Sequence, residues 1–249
     1  MFGNVKQQQG VESNEVDSLG GRVLRKTGLY NDTIKLAYGT ESKKGALGVV
    51  LKLEDENGST HDETIWVTNR EKSNTYVDKD GNQQYLPGYN MVNAICLMVC
   101  GKELSEVELV EKTVPVFNYE ARSEVPTKVQ VLDDLMGGKI ITGMMKYIEN
   151  KTYQVNGEGP YLPYAETREG SEISKVFHAE TRQTIVEARA QAEATFIDSW
   201  SEKNHAEVVR NKCVAPEKLH PAPTAAPGQG AGGAAASTTA KPTTSLFNK

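Results

Sequence analysis

Apolar and polar residues alternate with a period of two along much of the first third of the chain, the pattern of a β-strand with one buried face. The alternation predicts strands over residues 29–38, 46–53 and 64–68. The second and third strands flank Asn57-Gly58, a dipeptide that favours a tight hairpin turn. The three strands are therefore expected to form an antiparallel meander.

A helix with apolar side chains over most of its circumference is predicted after the third strand, over residues 89–100. The apolar side chains on its overlapping helical rows are Met91, Ile95, Met98 and Val99. Gly101 supplies a stop signal for this helix. We expect it in the core, preceded by a polar loop, residues 69–88, that contains a small hairpin.

The second half of the chain is predicted to add strands over residues 114–119, 127–132, 139–149 and 172–178. The strand over residues 139–149 is largely apolar on both faces, so its first half is expected to be central in the sheet. The acidic residues 102–112 are interpreted as a solvated helix or loop, and residues 150–170 as a long loop. Residues 183–210 carry apolar side chains at helical spacing, which predicts one long helix.

A helix between two sets of strands is the arrangement of the OB-type barrel. We therefore predict a mainly β fold with flanking helices: an OB-like five-stranded Greek-key barrel with an inserted hairpin, an internal helix and a C-terminal helix. The predicted domains are a flexible N-terminal arm (1–24), the OB-like nucleic-acid-binding domain (25–182), a C-terminal helix packing on the domain or a partner (183–213) and a disordered tail (214–249) rich in Ala, Pro, Gly and Thr.

Composition narrows the class of protein. The 249 residues carry a net charge of −5, which argues against binding duplex DNA through bulk charge, although a groove needs only local positive charge. No apolar run approaches the roughly 20 residues that cross a bilayer, and the first ten residues form no signal-peptide core. We expect a cytoplasmic protein, in the host cytoplasm if it is viral, with no membrane partner.

The residue types that bind metals or perform catalysis form no recognised pattern. Cys96 and Cys100 lie four residues apart on the apolar helix, with no second cysteine pair and only scattered histidines, so we expect reduced core cysteines and no metal or other cofactor. Gly137-Gly138-Lys139 lacks the spacing and the hydroxyl residue of a phosphate-binding loop. The chain is not expected to be an enzyme, a metal-dependent nuclease being the less favoured alternative.

Aromatic and basic residues, in contrast, interleave on strands and loops. Aromatic rings stack on bases for about 1–3 kcal/mol each, while Lys and Arg follow the phosphates, so the pattern favours single-stranded nucleic acid. Trp66 alternates with apolar Ile65 and Val67 and should face outward. The predicted nucleic-acid-binding residues are Lys43, Lys44, Lys52, Trp66, Arg70, Lys72, Tyr76, Tyr85, Lys128, Lys146, Tyr147, Lys151 and Tyr153.

Two further segments allow alternative interpretations. The basic residues Arg22, Arg25 and Lys26 are either a solvated end or a clamp on a phosphate backbone. The apolar pair near residue 247 is either an unimportant terminus or a linear motif for a partner protein, and the predicted partner-binding residues are Ser245, Leu246, Phe247 and Lys249. A protein-interaction or scaffold module that uses this tail and the Trp200 helix is the alternative function.

Several blocks of the chain between residues 27 and 177 match a known pattern. They are Lys26-Thr27-Gly28-Leu29-Tyr30, Glu63-Thr64-Ile65-Trp66-Val67-Thr68, Tyr85-Leu86-Pro87-Gly88-Tyr89-Asn90, Gly101-Lys102-Glu103-Leu104-Ser105 and Glu124-Val125-Pro126-Thr127-Lys128-Val129. Through them the chain resembles the single-stranded DNA-binding proteins of lytic podophages that carry a giant virion RNA polymerase, the Schitoviridae.

The resemblance implies binding of displaced single strands in phage DNA replication and recombination. It also implies a C-terminal tail for contact with replication or transcription proteins, an RNA polymerase being one candidate. The tail departs from the acidic termini common in replication proteins of this type, because it has Phe247 but no acidic run and finishes in Lys249. A basic tip suits an acidic partner surface instead.

Overall fold

The computed structural model describes residues 24–118, 121, 123–155 and 158–223. Within these residues, eight strands form one sheet and two short strands form a separate hairpin. The pairs β1–β2, β1–β8, β2–β3, β4–β5 and β6–β7 are antiparallel, β10 pairs with β8 in parallel, and the fold is mainly β as predicted. The described residues divide into two compact units by their internal contacts, residues 24–149 with 168–213 and residues 150–167 with 214–223.

The strands and helices are numbered in chain order. The strands are β1 (Gly28–Glu41), β2 (Leu47–Asp55), β3 (Thr60–Trp66), β4 (Thr75–Val77), β5 (Gln83–Tyr85), β6 (Leu109–Asn118), β7 (Ser123–Leu132), β8 (Lys139–Val155), β9 (Glu158–His178) and β10 (Val209–Asn211). The helices are α1 (Pro87–Cys100), α2 (Ile185–Arg189) and α3 (Phe196–Lys203), with 3₁₀ turns at Leu104–Glu106, Asp133–Leu135 and Pro216–Lys218.

The long strand β1 organises the sheet. Its first half pairs with β8 and its second half with β2, and the register shifts between Ile34 and Leu36. One further pair, Tyr38 opposite Val131, joins it to β7. Strand β2 pairs with β3, so the sheet order β10-β8-β1-β2-β3 contains the predicted meander.

Helix α1 closes the main core, as its apolar circumference predicts. Val92, Ile95 and Cys96 are buried among the inward side chains of β1, β2, β3 and β8. Full burial of each large apolar side chain contributes about 1.5–3 kcal/mol. The start of the helix lies close against β3, because a Cβ at Gly88 would come within 2.1 Å of the Trp66 carbonyl oxygen.

A second, smaller core lies on the other face of β8. Ile141 and Met145 pack there with Phe177 of β9 and with Ile197 and Trp200 of α3. Gly143 leaves room for the indole, since a Cβ there would come within 2.9 Å of Trp200. Residues 140–145 are therefore buried on both faces, as their composition indicates.

The predicted long helix over residues 183–210 is wrong, because the structure has two short helices there and the short strand β10. The Thr184 hydroxyl caps α2, and the Glu187 carboxylate accepts hydrogen bonds from the backbone N–H groups of Thr195 and Phe196. These bonds hold a turn between α2 and α3, at which Gln191 adopts a positive φ of 50°. The spacing of Phe196 and Trp200 continues across this turn, so periodicity alone does not reveal it.

The predicted loop over residues 150–170 is also wrong, because β8 continues to Val155 and β9 begins at Glu158. Polar side chains such as Lys151 and Glu166, whose charged groups lie 2.8 Å apart, conceal these strand ends from a hydrophobicity pattern. The acidic residues 102–112 are likewise a 3₁₀ turn followed by the start of β6.

The smaller unit is held by backbone hydrogen bonds to one buried amide. The Asn150 side chain donates to the Tyr164 carbonyl and accepts from the Val214 N–H, each at 2.9 Å. The His220 N–H donates to the Pro163 carbonyl at 2.8 Å. Residues 214–223, assigned to a disordered tail by composition, thus make ordered contacts, while residues 224–249 and the arm at residues 1–23 lie outside the described residues.

The hairpin β6–β7 carries two prolines directly opposite each other, Pro115 and Pro126. Proline has no N–H, so this pair cannot exchange ladder hydrogen bonds and must occupy a position where backbone polar groups point away from the partner strand. The outward carbonyl of Pro115 accepts from the Lys52 ammonium at 3.4 Å, which agrees with that orientation.

Arg25 is part of the fold, which argues against its role as a phosphate clamp. The side chain is buried, and its guanidinium donates to Asp32 at 2.9 Å and to the Ser59 carbonyl at 2.7 Å, with Asp55 at 3.9 Å. Burial raises the pKa of Asp32, although hydrogen bonds from Thr142 and Arg25 oppose the rise. Of the other two residues of the basic cluster, Lys26 is exposed and Arg22 lies outside the described residues.

Candidate nucleic-acid interface

Trp66 lies at the end of β3 with its side chain on the outer face of the sheet. Its neighbours Ile65 and Val67 are buried, whereas Trp66 is 43% exposed. It stands directly opposite Gly48 of β2, and a Cβ at Gly48 would come within 2.8 Å of the indole. The missing side chain lets the ring lie on the β2 backbone and leaves part of its surface open to solvent.

Neighbouring positions of the ladder extend this outer face across four strands. Residues directly opposite each other in an antiparallel ladder point to the same side of the sheet. One such row consists of Thr64, Val50, Tyr38 and Val131, from β3, β2, β1 and β7. Tyr38 is only 6% exposed, so it contributes to the floor of this surface and not to a free stacking platform.

The β4–β5 hairpin presents two of the predicted tyrosines, Tyr76 and Tyr85, which are 45% and 53% exposed. The Asp78 carboxylate accepts from the N–H groups of residues 80 and 82, and these bonds lower its pKa and fix the hairpin turn. The Tyr85 ring stacks on Tyr89 of α1, with ring centroids 4.9 Å apart. The hairpin is thereby held against the helix with its tyrosines toward solvent.

A pocket of about 600 Å³ opens beside these tyrosines, between the hairpin, α1, β9 and α2. Its floor is apolar and includes Met91, Ala94, Leu97 and Met98. Lys175 of β9 and Arg189 of α2 line it as well and were not among the predicted site residues. Sequence reasoning missed them because the position of α2 depends on the turn that Glu187 makes.

Most of the predicted basic residues are engaged in ion pairs. The pairs are Lys52–Glu124 (2.9 Å), Arg70–Glu71 (2.6 Å), Lys72–Glu41 (3.2 Å), Lys128–Glu111 (3.0 Å), Lys146–Glu169 (2.8 Å) and Lys151–Glu166 (2.8 Å). Lys43 and Lys44, in the β1–β2 turn, are exposed and form no ion pair with the residues that the structure describes. Exposed pairs contribute only about 0–1 kcal/mol, so phosphates can compete for the paired cations.

Tyr147 does not join the Trp66 surface. Tyr147 pairs with Arg210 of β10, and β8 is separated from β3 by β1 and β2 in the sheet order. Its ring lies between Gly170 and the Lys212 ammonium, which is 4.0 Å from the ring centroid, and burial raises its pKa. In the smaller unit, the Tyr153 hydroxyl donates to the Pro221 carbonyl at 3.2 Å.

The predicted partner-binding residues lie outside the described residues; they are Ser245, Leu246, Phe247 and Lys249. In the described ranges, no cluster of three or more histidine, cysteine or carboxylate side chains could hold a metal ion. None of the helices described is both long and apolar enough to cross a membrane. Neither a protein-family model nor a curated protein matches this sequence.

Proposed function

We propose that the chain is a non-catalytic, sequence-independent single-stranded DNA-binding protein. The observation that carries the proposal is the exposed Trp66 indole, seated on Gly48 in an open face of the sheet. Part of the ring lies on the β2 backbone at Gly48, and the rest is open to solvent. A flat aromatic surface open to solvent suits a stacked base, and every base offers a π-face.

The order of elements supports an OB-like barrel as the framework. A three-stranded meander, a core helix and two long strands follow one another, and β1 pairs with both β2 and β8. Hairpins β4–β5 and β6–β7 are insertions into that order. In OB folds the face of the second and third strands binds oligonucleotides, and β2 and β3 are the strands that carry Gly48 and Trp66.

In the proposed mode of binding, Trp66, Tyr76 and Tyr85 stack on bases. Lys43 and Lys44 contact phosphates directly, and the ion-paired Lys52, Arg70 and Lys72 exchange their carboxylate partners for phosphates. Such a surface would protect displaced strands during DNA replication and recombination. The C-terminal tail would recruit partner proteins, with an RNA polymerase as one candidate.

The two tryptophans provide a direct test. The chain has only Trp66 and Trp200, and Trp200 is buried at 6% exposure. Titration with poly-dT should quench Trp66 and leave Trp200 unchanged, because quenching by a stacked base requires contact. The Trp66→Phe variant should therefore lose the quenching signal of the intact protein.

The second part of the test is the affinity of the Trp66→Ala variant for poly-dT. This affinity should fall by about 5- to 150-fold, because one stacking contact of about 1–3 kcal/mol is lost. Tyr161→Ala is the matched control, because Tyr161 is an exposed aromatic residue of the smaller unit outside the predicted set. Equal losses in both variants, or no binding by the intact protein at low salt, would reject the proposal.

A further inference from the structure

The pocket beside α1 has a charge that differs from the rest of the molecule. The whole chain carries −5, yet the two ionised side chains that line the pocket, Lys175 and Arg189, are both cationic. Arg189 is exposed at the end of α2 and forms no ion pair with the described residues. The rim therefore attracts a negatively charged occupant.

The apolar residues that line the pocket favour a peptide as its occupant. Four apolar side chains of α1 form one wall, and Ile185 and Val186 of α2 form another. Val186 is 77% exposed, a high value for a large apolar side chain beside a cavity. Methionine side chains such as Met91 and Met98 adapt their shape to apolar peptide side chains. Phosphates and sugars gain little from such a floor, so an acidic peptide with apolar residues fits better than nucleic acid.

The chain contains one such segment among the residues outside the described structure. Residues 11–19 carry Glu12, Glu15 and Asp17 and no basic residue, together with apolar Val11, Val16 and Leu19. The other undescribed terminal segment, residues 224–249, has two lysines and no acidic residue. Charge complementarity therefore selects residues 11–19.

The connection is long enough for this segment to reach the pocket. Arg25 donates to the Ser59 carbonyl, and from Ser59 the chain follows β3 for four residues, about 13 Å, to Glu63. The Glu63 carboxylate accepts from the Ile173 N–H at 2.7 Å, and Ser174 lines the pocket. Counted from residue 24 along an extended chain, Leu19 can lie up to about 16 Å away, Glu15 up to about 30 Å and Val11 up to about 43 Å, so the acidic first half of the segment is the part that can reach the pocket. The described residues on this path, from Arg25 to Ser174, belong to the larger unit.

We propose that the acidic segment at residues 11–19 binds in the pocket between α1, α2 and the β4–β5 hairpin of its own chain. Its carboxylates meet Lys175 and Arg189, and its apolar side chains cover Val186 and the methionines. The bound segment lies beside Tyr76 and Tyr85, so it competes with DNA for those rings. The docking is independent of DNA binding, whereas the competition rests on the proposed function.

Photocross-linking of the full chain without DNA tests the docking. A benzoylphenylalanine at position 186 should cross-link to residues 11–19 in a product of monomer mass, identified by digestion and mass spectrometry. The same group at the exposed position 117 of β6 is the control and should give no such product. Cross-links to other segments, a product of dimer mass, or no cross-linked peptide would overturn the proposal.

Charge variants test the recognition itself. Neutralising the segment with E12Q, E15Q and D17N should lower the cross-link yield by about fivefold, the effect of losing two or three weak exposed pairs. Reversing the rim with K175E and R189E should lower it similarly, and combining that reversal with E12K, E15K and D17K should restore it. Unfolding curves identify any variant that is misfolded. Unchanged yield in the neutral variant, or no restoration in a folded charge-swapped one, would contradict the proposal.

Discussion

Replacing Gly48 by alanine tests how the strand positions Trp66. The added Cβ would stand 2.8 Å from one carbon of the indole and 3.2 Å from the Ile65 carbonyl oxygen. Carbon atoms in favourable contact are about 3.5–4.0 Å apart, so the ring must move by about 1 Å or tilt away from the β2 backbone. Overpacking of this kind typically costs about 1–3 kcal/mol of folding free energy.

Where no atoms clash, replacing a strand glycine by alanine increases the free energy of unfolding instead of lowering it. Alanine in a strand restricts the unfolded chain and is favoured over glycine by about 0.5–1 kcal/mol where there is no steric conflict. Gly48 does not have the positive φ that would require glycine. In a Trp66→Ala background only the 3.2 Å contact with the Ile65 carbonyl oxygen remains, so Gly48→Ala should destabilise the protein much less than it does when Trp66 is present.

Urea unfolding of the four proteins of this cycle measures the coupling between the two positions, and poly-dT titration measures its effect on binding. We expect Gly48→Ala to weaken DNA binding by about 5- to 150-fold while Trp66 is present, since a displaced ring loses a stacking contact of about 1–3 kcal/mol. With Trp66 absent, Gly48→Ala should change the affinity little. If Gly48→Ala were equally destabilising in both backgrounds, or left DNA affinity unchanged, Gly48 would not seat the indole for binding.

Three further predictions concern charge. The proposed mode places five cations on phosphates, so log affinity should fall with log salt concentration with a slope of about −3.5, and K43A/K44A should flatten it to about −2; a slope of about −1.5 in the intact protein would mean that the ion-paired Lys52, Arg70 and Lys72 keep their carboxylate partners. Arg25→Met should destabilise the protein by about 3–5 kcal/mol in urea unfolding, since Asp32 and Asp55 lose their buried partner, and a loss below 1 kcal/mol would contradict the structural role of Arg25. Backbone N–H donors, chiefly that of Thr184, lower the pKa of Glu187 from 4.5 to about 2, so the ionised carboxylate stabilises the fold above pH 4.5 and this stabilisation disappears as pH falls toward 2. The difference in melting temperature between the intact protein and Glu187→Gln should therefore shrink between pH 4.5 and pH 2. A difference that stays constant over this interval would contradict the stabilising role of the ionised carboxylate.

The sequence predicted those parts of the fold where one face is buried. The meander, α1 and the outward direction of Trp66 all follow from alternation or helical spacing, which registers the contrast between core and solvent. The ends of β8 and β9 are exposed on much of their surface, so no such contrast marks them. The turn between α2 and α3 depends on hydrogen bonds that one carboxylate accepts from backbone N–H groups eight and nine residues further along the chain.

The candidate site was predictable in its residue types but not in its grouping. Whether a lysine is free or ion-paired depends on which residues lie near it on the neighbouring strand. Lys128, for example, pairs with Glu111, which is 17 positions away in sequence. The sequence suggests that Tyr147 stacks on a base, yet in the structure its ring contacts Gly170 and the Lys212 ammonium. The pocket at α1 needs four elements to meet, and their meeting leaves no local pattern in the chain.

Under the proposed function, the facing prolines of the β6–β7 hairpin affect how closely copies of the chain can lie along one strand of DNA. Proteins that coat a polymer side by side reach very high local concentrations, at which an unpaired strand edge is a template for joining the next molecule. Pro115 and Pro126 remove one outward backbone donor from each edge of this hairpin. If the chain coats single strands as proposed, the two prolines should disfavour pairing between the hairpins of neighbouring copies at these positions, and so favour a coat that dissociates one molecule at a time.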